Sequence, residues 1–85
     1  MEPYRLEFAK SVRKELKKIG KRDASRILKV IDGLEANPRP PSCKKLTDSE
    51  LYRIRIGNFR VVYEIFDDRL VILIVKVSDR KDVYR

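Results

Sequence analysis

Histidine is absent from this chain, cysteine occurs once, and there are three glycines in 85 residues. Without imidazole, His-based acid–base catalysis is excluded. Cys43 cannot form an internal disulfide, has no visible activating base, and belongs to no cluster with metal-ligand spacing. No glycine-rich phosphate loop is present. Neither an early apolar run of signal-peptide type nor a span of membrane length occurs. These absences predict a cytoplasmic protein that uses no metal or cofactor and no membrane. No repeat, low-complexity tract or linker interrupts the chain, so residues 1–85 are expected to form a single domain with a limited core. What is abundant is positive charge: 21 Lys and Arg against 13 Asp and Glu, a net +8. That balance favours nucleic acid or another acidic partner.

The most informative stretch runs from Leu51 to Phe66. Gly57-Asn58 is a two-residue connection suited to a primed hairpin turn. With that turn, Ile56 faces Phe59, Arg55 faces Arg60, Ile54 faces Val61, Arg53 faces Val62 and Tyr52 faces Tyr63. Side chains alternate along a strand, so Tyr52, Ile54, Ile56, Phe59, Val61, Tyr63 and Ile65 share one apolar face. Arg53, Arg55 and Arg60 share the other. Like charges directly opposite on a sheet are destabilising. Long arginines can snorkel apart into water, but guanidinium forks also suit phosphate oxygens and keep their charge at neutral pH.

Upstream, Pro3 to Phe8 reads as a short strand with Tyr4, Leu6 and Phe8 on one side. Phe8, Val12, Leu16 and Ile19 then fall at helical spacing, with Gly20 as the C-terminal stop. Lys10, Arg13, Lys14, Lys17 and Lys18 form the outward face, a solvated surface or an electrostatic footprint for RNA. A second helix is expected from an Asp23 N-cap to about Ala36, with Ala24, Ile27, Leu28, Ile31 and Leu34 as its apolar stripe. Asn37-Pro38 ends it. A long loop to about Glu50 follows, carrying Lys44 and Lys45 and anchored by Leu46.

Asp67-Asp68 is a second tight-turn signal, and Leu70 to Val77 reads as a strand covered on both faces. Counted across that turn, Arg60 lies opposite Val75 and Val62 opposite Leu73. The arginine face would then also carry an exposed apolar patch of Val62, Val71, Leu73 and Val75, which usually marks a partner surface. The predicted fold is α+β, in the order β-α-α-β-β-β. A helical hairpin packs on one face of a small, mostly antiparallel sheet.

Arginine, lysine and tyrosine can still cleave RNA. Attack of a 2′-hydroxyl on the adjacent phosphate builds negative charge, which fixed cations stabilise. A stacked aromatic adds roughly 1–3 kcal/mol of base binding. The run Leu51-Tyr52-Arg53-Ile54-Arg55-Ile56-Gly57-Asn58-Phe59-Arg60-Val61-Val62-Tyr63, with Asn37-Pro38 upstream and Arg80 and Tyr84 downstream, resembles the RelE branch of the RelE/ParE toxin superfamily over essentially the whole chain. The resemblance implies the toxin of a type II toxin–antitoxin pair: a metal-independent endoribonuclease that cuts mRNA in the ribosomal A site and leaves a 2′,3′-cyclic phosphate. Its implied partners are the ribosome, mRNA and a cognate antitoxin. By position, Arg53 and Arg55 match basic residues, often lysines, that hold the mRNA backbone, one of them proposed as the base. Arg60 matches the arginine that stabilises the transition-state phosphate, Arg80 a general acid or second phosphate clamp, and Tyr84 the tyrosine that stacks on a base. Lys44, Lys45 and Lys81 are further expected RNA contacts, and Val62, Val71, Leu73 and Val75 the expected antitoxin surface. Arginine is a poor general base, so a lysine-type base mechanism does not transfer directly. A gyrase-directed ParE-like toxin and a non-catalytic member of the superfamily are the alternative readings.

Overall fold

The structure, a computed structural model, describes residues 3–79. Strand β1 (Arg5–Phe8) leads into helices α1 (Lys10–Lys18) and α2 (Lys21–Gly33). Then come β2 (Cys43–Lys45), β3 (Leu51–Ile56), β4 (Phe59–Phe66) and β5 (Val71–Asp79). The strands form one sheet in the order β1-β5-β4-β3-β2, antiparallel except for the β1–β5 pair. Two helices packed on a mostly antiparallel sheet give the expected α+β class. The core is Val12 of α1, Ile27 and Ile31 of α2 and Leu34 just beyond it, against Ile54, Val61, Tyr63, Ile72, Ile74 and Val77 of the sheet.

Local chemistry moves several boundaries. Phe8 stays in the strand because the Ala9 amide donates to the Ile74 carbonyl and extends the β1–β5 ladder; α1 therefore begins at Lys10. Gly20 does not stop α1 in a left-handed conformation. It is extended (φ −59°, ψ 151°) and caps the N-terminus of α2, where its carbonyl accepts from the Ala24 amide. Asp23 thus sits in the first turn of α2, where the helix dipole favours a carboxylate. The helix ends at Gly33, short of Ala36. Leu28 turns away from the core and, at 37%, is the exposed large apolar side chain among the described residues.

The loop after α2 contains a strand that its composition hides. Cys43–Lys45 pairs antiparallel with β3, making five strands rather than four. The second hairpin differs more. Phe66 pairs with Val71, so Asp67 to Leu70 make a four-residue turn in which Leu70 takes φ +54°. A register shift between Val62 and Tyr63 then leaves Val75 as an extra residue in β5. Together they place Arg60 opposite Ser78 rather than Val75, and Val62 opposite Lys76 rather than Leu73.

Candidate functional site

Turn geometry decides where the arginines sit. Gly57 has φ +58° and Asn58 does not have positive φ, the pattern of a II′ rather than a I′ hairpin. The positive φ is what favours glycine at this position; a Cβ there would meet only the mobile guanidinium end of Arg26 on α2, which can swing aside. The two-residue turn sets Arg55 opposite Arg60, and Arg53 opposite Val62, on the face away from the helices. On β2, Lys44 lies opposite Arg53 and Lys45 opposite Tyr52. Cross-strand partners share a face, so Lys44 joins the arginines while Lys45 belongs to the other side.

Two rows of side chains cross this open face: Arg55–Arg60–Ser78, and Lys44–Arg53–Val62–Lys76. Among the described residues, no hydrogen bond or ion pair engages Lys44, Arg53, Arg55, Arg60 or Lys76. Partial burial, then the neighbouring charges of Arg55 and Arg60, pull the Arg53 guanidinium below its ordinary pKa. Among the described residues these cations are held together without an acidic partner, an arrangement that suits a polyanion.

The apolar half of the face is less open than its composition suggests. Val62 and Val71 are buried, at 8% and 6% exposure, and Leu73 and Val75 are half-buried. Lys76 interrupts the strip beside Val62, and Val75 is displaced from the ladder by the bulge. Further from the hairpin the face carries Leu51, Glu64 and Leu73, then Phe66 and Val71.

A second polar cluster gathers around Asp67, just past the C-terminal end of β4. Arg39 donates to both carboxylate oxygens of Asp67 (3.3 and 2.9 Å) and to the Tyr52 hydroxyl (3.1 Å). Its guanidinium also sits 5.3 Å from the centre of the Tyr52 ring. The Tyr4 hydroxyl donates to Asp67 at 2.6 Å. Tyr52 stacks on Tyr63, with ring centroids 5.9 Å apart, and the Tyr63 hydroxyl donates to the Pro38 carbonyl. Hydrogen bonds from Arg39 and Tyr4 hold the Asp67 carboxyl below the usual range, and burial pushes the Tyr63 phenol up. These contacts tie the start of the chain, the proline loop and the β4–β5 turn to one another.

Comparison with known proteins decides the family. Residues 6–84 match the family model described as ParE toxin of type II toxin–antitoxin system, parDE. A protein assigned as toxin RelE1 in Methanocaldococcus jannaschii is 36% identical, with 96% of each chain covered. A chain of the archaeal RelE–RelB complex from Pyrococcus horikoshii OT3 superposes with a TM-score of 0.83 at 34% identity, covering 92% of this chain and 96% of that one. The isolated RelE toxin of Escherichia coli gives a TM-score of 0.80 at 26% identity, with 95% of this chain and 90% of that one covered. The chain belongs to the RelE/ParE toxin superfamily, on its RelE branch.

In this RelE-like toxin, the expected residues Arg53, Arg55, Arg60 and Lys44 come together on one face, and Lys45 does not join them. Arg80, Lys81 and Tyr84 lie outside the described residues. Sequence reasoning passed over Lys76, because its place on the face depends on a bulge that no turn signal announces. It also passed over Arg39, since nothing in the spacing links positions 4, 39, 52 and 67.

Proposed function

We propose that this RelE-like toxin cuts mRNA in the ribosomal A site. The carrying observation is the Arg55–Arg60 cross-strand pair, flanked by Arg53 and without a counter-charge among the described residues. In the reaction, the 2′-oxygen forms a bond to the adjacent phosphorus and the bond to the 5′-oxygen breaks. The upstream fragment keeps a 2′,3′-cyclic phosphate, and the downstream fragment leaves with a 5′-hydroxyl. Arg60 neutralises charge that grows on the phosphate oxygens, while Arg53 and Arg55 hold the backbone for in-line attack. Arg80 serves as acid or second clamp, and Tyr84 as a stacking platform. Guanidiniums hold and neutralise rather than take the 2′-proton; that proton passes to water as the new bond forms, and the departing 5′-oxygen gains one from Arg80 or from water. The ribosome completes the site, so free RNA is cut negligibly.

The partner that silences the toxin is an antitoxin, a reading supported by the RelE–RelB complexes of archaeal relatives; acidic and partly disordered, it folds on binding. Its amphipathic segment lies over Leu73 and Val75, with Val62 and Val71 beneath, and its acids meet the arginines. Leu73→Asp should weaken calorimetric affinity for the antitoxin; unchanged affinity moves the antitoxin elsewhere.

One observation favours a second reading. The matching family model describes a parDE toxin, which makes a gyrase-directed activity the competitor. Purified toxin is therefore assayed on programmed ribosomes, by mapping mRNA cut sites, beside a gyrase supercoiling assay. Cuts at A-site codons with untouched supercoiling support the nuclease. Inhibited supercoiling with intact mRNA replaces it.

A further inference from the structure

Lys76 occupies a position that neither its sequence neighbours nor the family match assigns. It sits in a run of apolar residues, Leu70 to Val77, and simple alternation from Val71 would put it on the helix side with Ile72 and Ile74. The register shift at Val62/Tyr63 changes that. Ile74 pairs with Tyr63 and Lys76 pairs with Val62, so Val75 is the extra residue and Lys76 comes out on the arginine face. There it is exposed, and no hydrogen bond or ion pair holds it among the described residues. Glu64, the acid on the same face two residues along from Val62, does not pair with it.

The consequence is a ring rather than a row. Val62, buried on β4, has Arg53 beside it on β3, Lys76 beside it on β5 and Arg60 two residues back on its own strand. Arg53 and Lys76 are two inter-strand steps apart, about 10 Å at the backbone. That span suits two cations gripping successive groups along an extended polyanion, and it is too wide for both to meet one phosphate without reaching inward. Bulges re-aim side chains next to functional sites, and here the re-aimed side chain is a cation brought onto the face that carries Arg53 and Arg60.

We propose that Lys76 is a substrate-positioning residue: its ammonium binds a backbone phosphate of single-stranded RNA on the β5 side of Val62, beyond the phosphate held by Arg53. This rests on the nuclease reading of the arginine face, and the test separates the two. Full-length toxin and its Lys76→Met, Lys76→Arg, Arg60→Ala and Lys29→Ala variants are titrated with a short single-stranded RNA over a range of salt, after circular dichroism confirms folding. Lys29 is exposed on α2 and matches the loss of one charge without touching the face. Lys76→Met should weaken binding about tenfold and lower the slope of log affinity against log salt by about 0.7, the value for one lost phosphate contact on a single strand. Lys76→Arg should restore most of both, and Lys29→Ala should change neither. If Arg60→Ala weakens binding while Lys76→Met behaves like Lys29→Ala, the assignment of Lys76 fails and the arginine face stands. If the wild-type toxin has no measurable affinity for the RNA, the assignment of Lys76 fails, and the nuclease reading stands or falls on the programmed-ribosome assay.

Discussion

Arg39, in the loop after α2, and Arg60, on β4, differ in what surrounds them. Arg39 meets a carboxylate with both arms of its fork and packs against a tyrosine. Arg60 has another arginine as its cross-strand neighbour and no counter-ion among the described residues. Both sites are open to water, so the Arg39–Asp67 pair by itself adds little to stability. What the Arg39 cluster gains is connection, because three segments distant in sequence converge on Asp67 and the Tyr52–Tyr63 stack. What the Arg60 face gains is unspent charge. In a protein with a net +8, acids are outnumbered, and the fold places Asp67 where three segments are fastened rather than where the cations crowd.

Four variants sharpen or break this contrast. The largest effect is expected at Tyr63, which is fully buried at the root of the fastened cluster. Tyr63→Ala should cost about 3–5 kcal/mol in chemical denaturation through the cavity and the lost stack. Arg60→Ala comes next and acts in the other direction. Folding should be unchanged or slightly better, because the opposition to Arg55 is relieved. Cleavage on the ribosome should fall at least about tenfold, equivalent to about 1.4 kcal/mol of transition-state stabilisation. Should Arg60→Ala unfold the protein while Arg60→Lys keeps full activity, the two sites are not divided as described.

Arg39→Met should lower stability by about 1 kcal/mol, since Asp67 and Tyr52 lose their donor but remain near water. Its RNA affinity should match wild type; a loss comparable to that of Arg60→Ala would make the fastening cluster part of the binding face. The smallest effect is the pH dependence of Asp67. Its carboxyl is held low in the folded state, so its stabilising contribution is present above about pH 4, the ordinary carboxylate range. It is lost as pH falls through the depressed folded value. Thermal melts from pH 7 to pH 2 should therefore converge for wild type and Asp67→Asn at the acidic end, with wild type higher at pH 7.

The first hairpin was legible in the sequence because Gly57-Asn58 fixes a two-residue turn, and alternation then dictates every pair from Leu51 to Glu64. The second hairpin was not. Asp67-Asp68 marks a turn but not its length, and four residues fit the signal as well as two. The apolar run of β5 then conceals the bulge. Before Val75 the odd-numbered residues face outward, and after it the even-numbered ones do. Two alternating patterns out of phase read as one continuous hydrophobic stretch. Strand β2 was hidden for a different reason: Cys43-Lys44-Lys45 has little intrinsic strand character, and its pairing comes from the edge of β3. Of the candidate site, Arg53, Arg55 and Arg60 followed from the turn, whereas Lys76 and the Arg39 cluster depend on long-range registers.

The parallel pairing of β1 with β5 also bears on the order in which the molecule comes together. Arg5 is matched with Val71, so the first strand has no ladder partner until the last described strand exists. Contacts that far apart in sequence are slow to form, since the chain loses loop entropy before they reward it. During synthesis, Leu6 and Phe8 must wait through both helices and three strands before Ile72 and Ile74 arrive to pair with them. The same arrival brings Lys76 and Ser78 alongside Val62 and Arg60. Closure of the sheet edge and completion of the cationic face are therefore one late event, and a ribosome making this toxin has translated nearly all of the described chain before that face is whole.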